Sequence, residues 1–220
     1  MKSLQFNYTH GLLIGALSGR VTKFLSYEPE IANFMAANLH FDALSYAVID
    51  DDDTGDSILH IKTPDGRRVE FPMKYNIGEI AEFDEPVDRF CRRYRAARAL
   101  TPFDTAVDID VTKKYYLRIT GVKMVRLSNM RIDDMLKCGL CRARINDKIR
   151  YLLPDYDGCS ATVYMTSTQA MMALAYRILP RSVVVENPVW MMYEFEILDE
   201  DEYLKIIADD NEKTIEDGIC

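Results

Sequence analysis

Three groups of residues in this chain have types and spacings that could do chemistry. Five arginines, Arg89, Arg92, Arg93, Arg95 and Arg98, fall in a stretch that reads as helix over residues 88–100. Guanidinium groups at that density fit phosphate contacts, and Phe90 and Tyr94 among them offer rings to stack on a base. The same arginines equally fit a solvated helix face paired with Glu82, Asp84, Glu85 and Asp88. The second group is acidic. Asp50, Asp51, Asp52 and Asp53 stand in one turn, and residues 199–220 carry nine acids against two lysines. Such segments serve solubility, or form a partner surface that imitates a phosphate backbone and fills a basic groove on another protein. The third group is Cys138-Gly139-Leu140-Cys141, with Cys159 as a further thiol. A structural zinc site wants four ligands in paired knuckles, and His10, His40 and His60 sit at no knuckle spacing to a cysteine. We therefore expect no metal and no cofactor. Ser18, Thr22 and Ser26 have no adjacent histidine motif, so no hydrolytic triad is expected either.

The elements that must position these groups belong to a chain of 220 residues, 48 % hydrophobic and 10 % aromatic, ample for a proper core. Its five cysteines are odd in number and irregularly spaced, which suits free thiols in a reducing cytoplasm. No apolar run approaches the roughly 18 residues of a membrane span, so no membrane is expected. The apolar stretch near the N-terminus, interrupted by Gly15, Ser18 and Gly19, reads as an amphipathic helix rather than an export signal. The formal charge is −8, of which −7 falls on residues 199–220. That balance argues against nonspecific nucleic-acid binding, which rests on Lys and Arg contacts to phosphate, yet leaves room for a local basic groove.

Hydrophobic periodicity and turn chemistry predict a short strand at 4–7 and a helix that Gly19 stops in the left-handed conformation. A helix at 29–38 follows, packing Ile31, Phe34 and Met35. Strands are expected at 45–50 and 57–62, the latter joined to a strand near 67–73 by Thr63-Pro64-Asp65-Gly66. A strand at 75–83 is entered through Gly78, and a longer one begins at Tyr115 with a bulge at Gly121. A short helix stops at Gly139. Thr166 and Gln169 form a capping box before a helix at 167–179, and a closing strand covers 187–198. Tyr203, Leu204, Ile206 and Ile207 suggest a last helix packed on the body of the domain.

Four motifs in order carry a resemblance. They are Gly19-Arg20-Val21-Thr22-Lys23-Phe24-Leu25-Ser26, the stretch from Tyr75 to Val87, Asp133-Asp134-Met135-Leu136-Lys137-Cys138-Gly139, and Asn187-Pro188-Val189-Trp190-Met191-Met192-Tyr193-Glu194-Phe195. In this order the chain resembles phage-encoded members of the ASCH family, within the PUA-like superfamily. The resemblance covers residues 4–198, with an uncertain insert at 88–112, and leaves 199–220 as an acidic, partly helical extension. It implies an α+β fold, a PUA-like/ASCH mixed β-barrel with helices at the connections.

The family's hydrolases of an acylated nucleoside imply a catalytic lysine and threonine at the positions that here hold Val21 and Phe24. The family arginine is Asp84, and the glutamate before the helix-ending glycine is Cys138. We therefore assign no catalytic residue and expect a scaffold that keeps its fold and loses that hydrolysis. The inherited cleft would lie at Arg20, Thr22, Lys23 and Glu85. Two functions follow from the resemblance and the charges: binding of RNA or a nucleoside-like ligand, or contact with a host protein such as a defence nuclease complex. A residual amidohydrolase in which Thr22 and Lys23 take over the lost pair is a third.

Overall fold

The computed structural model describes residues 2–4, 15–37, 45–50, 55–83, 110, 112–154 and 161–217. The arginines from Arg89 to Arg98, Glu85, and Asp51, Asp52 and Asp53 lie outside the described residues; Asp50 is the last residue of a strand.

Among the described residues the protein is a mixed α+β fold of three sheets. The largest has five strands in the order β1-β6-β7-β11-β2. Its members are β1 (Lys2–Leu4), β2 (Lys23–Ser26), β6 (Ile80–Phe83), β7 (Tyr115–Arg126) and β11 (Val189–Asp199). All neighbours run antiparallel except β1 and β6, which are parallel. A second sheet, β3-β4-β5, joins β3 (Ser45–Asp50), β4 (Ser57–Lys62) and β5 (Arg68–Pro72). The third, β10-β9-β8, is made of β8 (Cys141–Ile145), β9 (Lys148–Pro154) and β10 (Ala161–Tyr164). Among the described residues the three ladders do not close into one barrel.

Helices pack on these sheets. They are α1 (Pro29–Ala37), α2 (Ile132–Lys137), α3 (Ser167–Ala175), α4 (Arg181–Val185) and α5 (Glu200–Asp217). A 3₁₀ turn (Leu127–Asn129) leads from β7 to α2. α1 lies on β11, α3 on β9 and β10, and α5 on β11 and β7.

The core follows from alternation along β11 and β7. Tyr193 and Phe195 point to one face, where Phe24 stacks on Tyr193 with ring centres 5.3 Å apart and meets Tyr75 edge-on at 5.6 Å. Offset and edge-to-face rings of this kind add specific attraction to the area they bury. Trp190 and Met192 point to the other face, and all four side chains are buried. Midway, the ladder slips: Glu194 pairs with Gly121 but Phe195 pairs with Ile119, leaving Thr120 as the extra residue of a bulge.

Local turn chemistry explains several joints. Gly66, at φ 86°, closes the β4–β5 hairpin with its N–H on Thr63 O. Thr166 Oγ1 accepts from the Gln169 N–H at 3.2 Å while Gln169 Oε1 accepts from the Thr166 N–H at 3.3 Å, so the capping box forms. Asn187 sits at φ 52° before Pro188; its amide bonds Ser128, and its carbonyl accepts from Arg126 at 2.9 Å. Asn tolerates this left-handed backbone better than most residues. The Asn-Pro pair is thus a clasp between the start of β11 and the end of β7.

Two expectations need correction, and one region was missed. The strand expected at 75–83 is only Ile80–Phe83, because Gly78 at φ 85° and a Glu79 carboxylate bonded to the Asn76 N–H turn the preceding residues. The last helix does not bury all its apolar residues: Tyr203 stacks on Tyr116 at 4.0 Å, but Leu204 is 56 % and Ile207 39 % exposed. The whole β8-β9-β10 sheet and α4 were not anticipated.

Candidate functional site

Two adjoining features gather polar chemistry around α2. The first is a charged cluster under the helix. Lys23 opens β2 directly opposite Glu194 of β11. Its Nζ donates to Glu194 Oε1 at 2.5 Å and to Asp134 Oδ1 at 2.8 Å. Lys123, from β7, donates to Asp134 Oδ2 at 3.1 Å. Strand pairing places Lys23, Glu194 and Lys123 on one sheet face, and the first turn of α2 lays Asp134 over them. Two ammonium groups and two carboxylates leave the cluster neutral, which suits a partly buried site. The Lys23 and Asp134 side chains are only 8 % and 12 % exposed, whereas Lys123 and Glu194 reach solvent.

Burial alone would discharge Lys23, but hydrogen bonds from it to Asp134 and Glu194 outweigh that and hold its pKa above the ordinary lysine value. Burial likewise opposes ionisation of Asp134, and the two lysines overcome it, holding the carboxyl below its usual range. Lys23 is therefore a fixed cation at neutral pH, with no lone pair for general-base work. Behind the cluster, Cys138 is buried with Sγ 3.8 Å from Met192 Sδ, and burial pushes its thiol up to about 12. A thiol in that state is not a nucleophile near pH 7.

The second feature is a groove of about 400 Å³ on the outer side of α2. Its cations are Arg20, Lys137 and Arg142. Its floor is apolar, from Leu136, Leu140, Ala143 and Leu152, and Cys141 stands beside it. No carboxylate lines it among the described residues. Arg20 is oriented by its Nη1 donating to Cys141 Sγ at 3.2 Å. The loop that carries Arg20 is fixed on both flanks. Gly19, at φ 71°, ends the preceding helical turn, and the Thr22 N–H donates to Lys137 O at 3.1 Å while Thr22 O accepts from the Phe195 N–H at 2.9 Å.

Of the residues expected in a cleft, Arg20 lines this groove, Thr22 ties it to α2 through its backbone, and Lys23 turns inward to the charged cluster. Val21 and Phe24 are core residues, 1 % and 5 % exposed. Cys138 and Cys141 part ways, one into the core and one to the groove, and no group of three or more metal-ligating side chains occurs among the described residues. Sequence reading missed Lys137, Arg142, Lys123 and Asp134 as site residues. The available signal was the density of cations over residues 137–150, where five (Lys137, Arg142, Arg144, Lys148, Arg150) stand against one acid, Asp147.

Compared with known proteins, the chain matches no protein-family model, no curated protein and no solved structure.

Proposed function

We propose that this chain is a PUA-like, ASCH-type binding domain whose groove at Arg20, Lys137 and Arg142 takes a nucleoside-like ligand carrying phosphate, free or as part of RNA. One observation carries the reading: three cations and an apolar floor line one groove, with no acid in its lining among the described residues, on a protein whose net charge is −8. Guanidinium groups match phosphate oxygens, and the leucine floor suits the flat face of a base. The position of Arg20, in the stretch that resembles the family's cleft motif, supports the same assignment. So does the state of Lys23, which is committed to Asp134 and Glu194 and adds structure rather than reactivity.

Calorimetric titration of the full chain with a nucleoside 5′-monophosphate and with the uncharged nucleoside tests it. The nucleotide should bind at low salt, and the nucleoside far more weakly. Arg142→Ala, an exposed position that leaves the core untouched, should weaken the nucleotide about tenfold, since a charged hydrogen bond is worth about 1.5–3 kcal/mol. Equal affinity for the two ligands, or no effect of Arg142→Ala, would overturn the assignment.

A further inference from the structure

Beyond the groove, β8 and β9 continue as a two-stranded ribbon. β10 pairs only with residues 151–154 of β9, so the remainder of the hairpin projects past the third strand. Asn146 at φ 50° and Asp147 at φ 61° close it in the tight turn that matches the natural twist of two strands. Strand register decides where its cations point. Cys141, Ala143 and Leu152 line the groove. Ala143 pairs with Arg150 and Ile145 with Lys148, so those two cations lie on the same sheet face, farther out. From Leu152 to Lys148 the ribbon advances about 13 Å, enough for more than one phosphate of a strand leaving the groove.

The other face carries Arg144 beside Ile149, and by register Arg142 too, which lines the groove from β8, the strand at the end of the described sheet. Arg144 is 75 % exposed and pairs at 3.7 Å with Asp147, which is almost wholly solvated, so this pair contributes little to the fold. Ile149, 55 % exposed, adds apolar surface near the tip that no described residue covers. These cations and the exposed Ile149 sit together on a hairpin next to a cationic groove.

We infer that the β8–β9 hairpin is a binding arm for a single-stranded nucleic acid, whose terminal or splayed nucleotide occupies the groove while the following phosphates run along Arg150 and Lys148. The inference rests on the groove reading above, which it extends from one nucleotide to a strand. A single strand is favoured over a duplex because a groove of this size admits one unpaired nucleotide, not a base held in a stack.

The experiment compares the full chain with the Lys148→Gln/Arg150→Gln variant, whose altered residues are outside the core. Fluorescence anisotropy with a labelled single strand of about 12 nucleotides, as RNA and as DNA, is read across a salt series. The mononucleotide is titrated in parallel, and a duplex of the same sequence serves as competitor. The strand should bind more tightly than the mononucleotide. The variant should lose about tenfold in strand affinity at low salt, and its log–log salt slope should fall by about 1.4, the loss of two phosphate contacts on a single strand. Its mononucleotide affinity should be unchanged. An unchanged slope and strand affinity would overturn the arm while leaving the groove reading intact. Hairpin-dependent strand binding without mononucleotide binding would support the arm and overturn the groove reading. A duplex that competes as well as the single strand would overturn the assignment of a single strand. The RNA and DNA arms identify which sugar the site prefers.

Discussion

Val21 and Lys23, two positions apart, show how little a residue's type says about its role until its partners are known. Val21 is a core methyl-bearing side chain, while Lys23, equally buried, is held charged by carboxylates that arrive from residues 111 and 171 positions later in the chain. Removing one partner of a buried pair typically costs about 3–5 kcal/mol because the other charge is stranded. Lys23→Met should fall at the low end, about 3 kcal/mol in urea unfolding, since Asp134 keeps Lys123 and Glu194 can turn to water. Lys23→Met combined with Asp134→Leu should recover much of that loss. A double variant no more stable than the single would show that the cluster does not act as a unit. The groove is read at this scale too: Arg20 lines it, and Lys23, three residues later, turns to the charged cluster instead.

Among the elements, the ones legible in the sequence are those whose cause is local. The β4–β5 turn needs only Pro64 and Gly66, the start of α3 only Thr166 and Gln169, and the end of α2 only Gly139. The β8-β9-β10 sheet was not legible because its central stretch is charged and short, so its alternation does not stand out, although Asn146-Asp147 is a hairpin signal in its own right. The charged cluster and the groove were illegible for a different reason: the cluster draws on β2, β7, β11 and α2, the groove on the loop before β2, α2, β8 and β9, and nothing in a linear reading brings those together. The link between β11 and α5 shows a local signal that was overlooked. Asp199 and Glu202 form a reciprocal cap, with the Asp199 N–H on Glu202 Oε2 at 2.9 Å and the Glu202 N–H on Asp199 Oδ1 at 3.0 Å, and Lys113 bonds Asp199 and Asp201. Asp199→Ala should fray the first turn of α5, seen as faster amide exchange at residues 200–204, with exchange in β7 unchanged.

For the molecule as a whole, the cluster sets a pH window. Asp134 titrates below its unfolded value of about 3.9, so its contribution is complete above that value and is lost as pH falls through the lower folded pKa. Lys23 titrates above its unfolded value of about 10.4, so its contribution is complete below that and is lost as pH rises through the higher folded pKa. Stability should therefore be flat with respect to these groups from about pH 5 to 9 and decline in acid, and Lys23→Met should make the acid decline shallower in denaturant titrations at stepped pH. The bulge at Thr120 has a consequence of its own, which is arithmetic. Before it, the odd-numbered residues Leu117 and Ile119 share the face of Phe195; after it, the even-numbered Val122 and Met124 share the face of Tyr193 and Met191. One supernumerary residue inverts the parity of β7, and that inversion is what sends Lys123 toward Asp134 instead of into the aromatic core. Gly121→Ala, whose new carbon would meet Glu194 at an ordinary 3.9 Å, should be mild. Deleting Thr120 should be mild as well: without the extra residue the two halves of β7 alternate unbroken, with Leu117, Ile119, Val122 and Met124 on one face and Lys123 on the other, as they stand now.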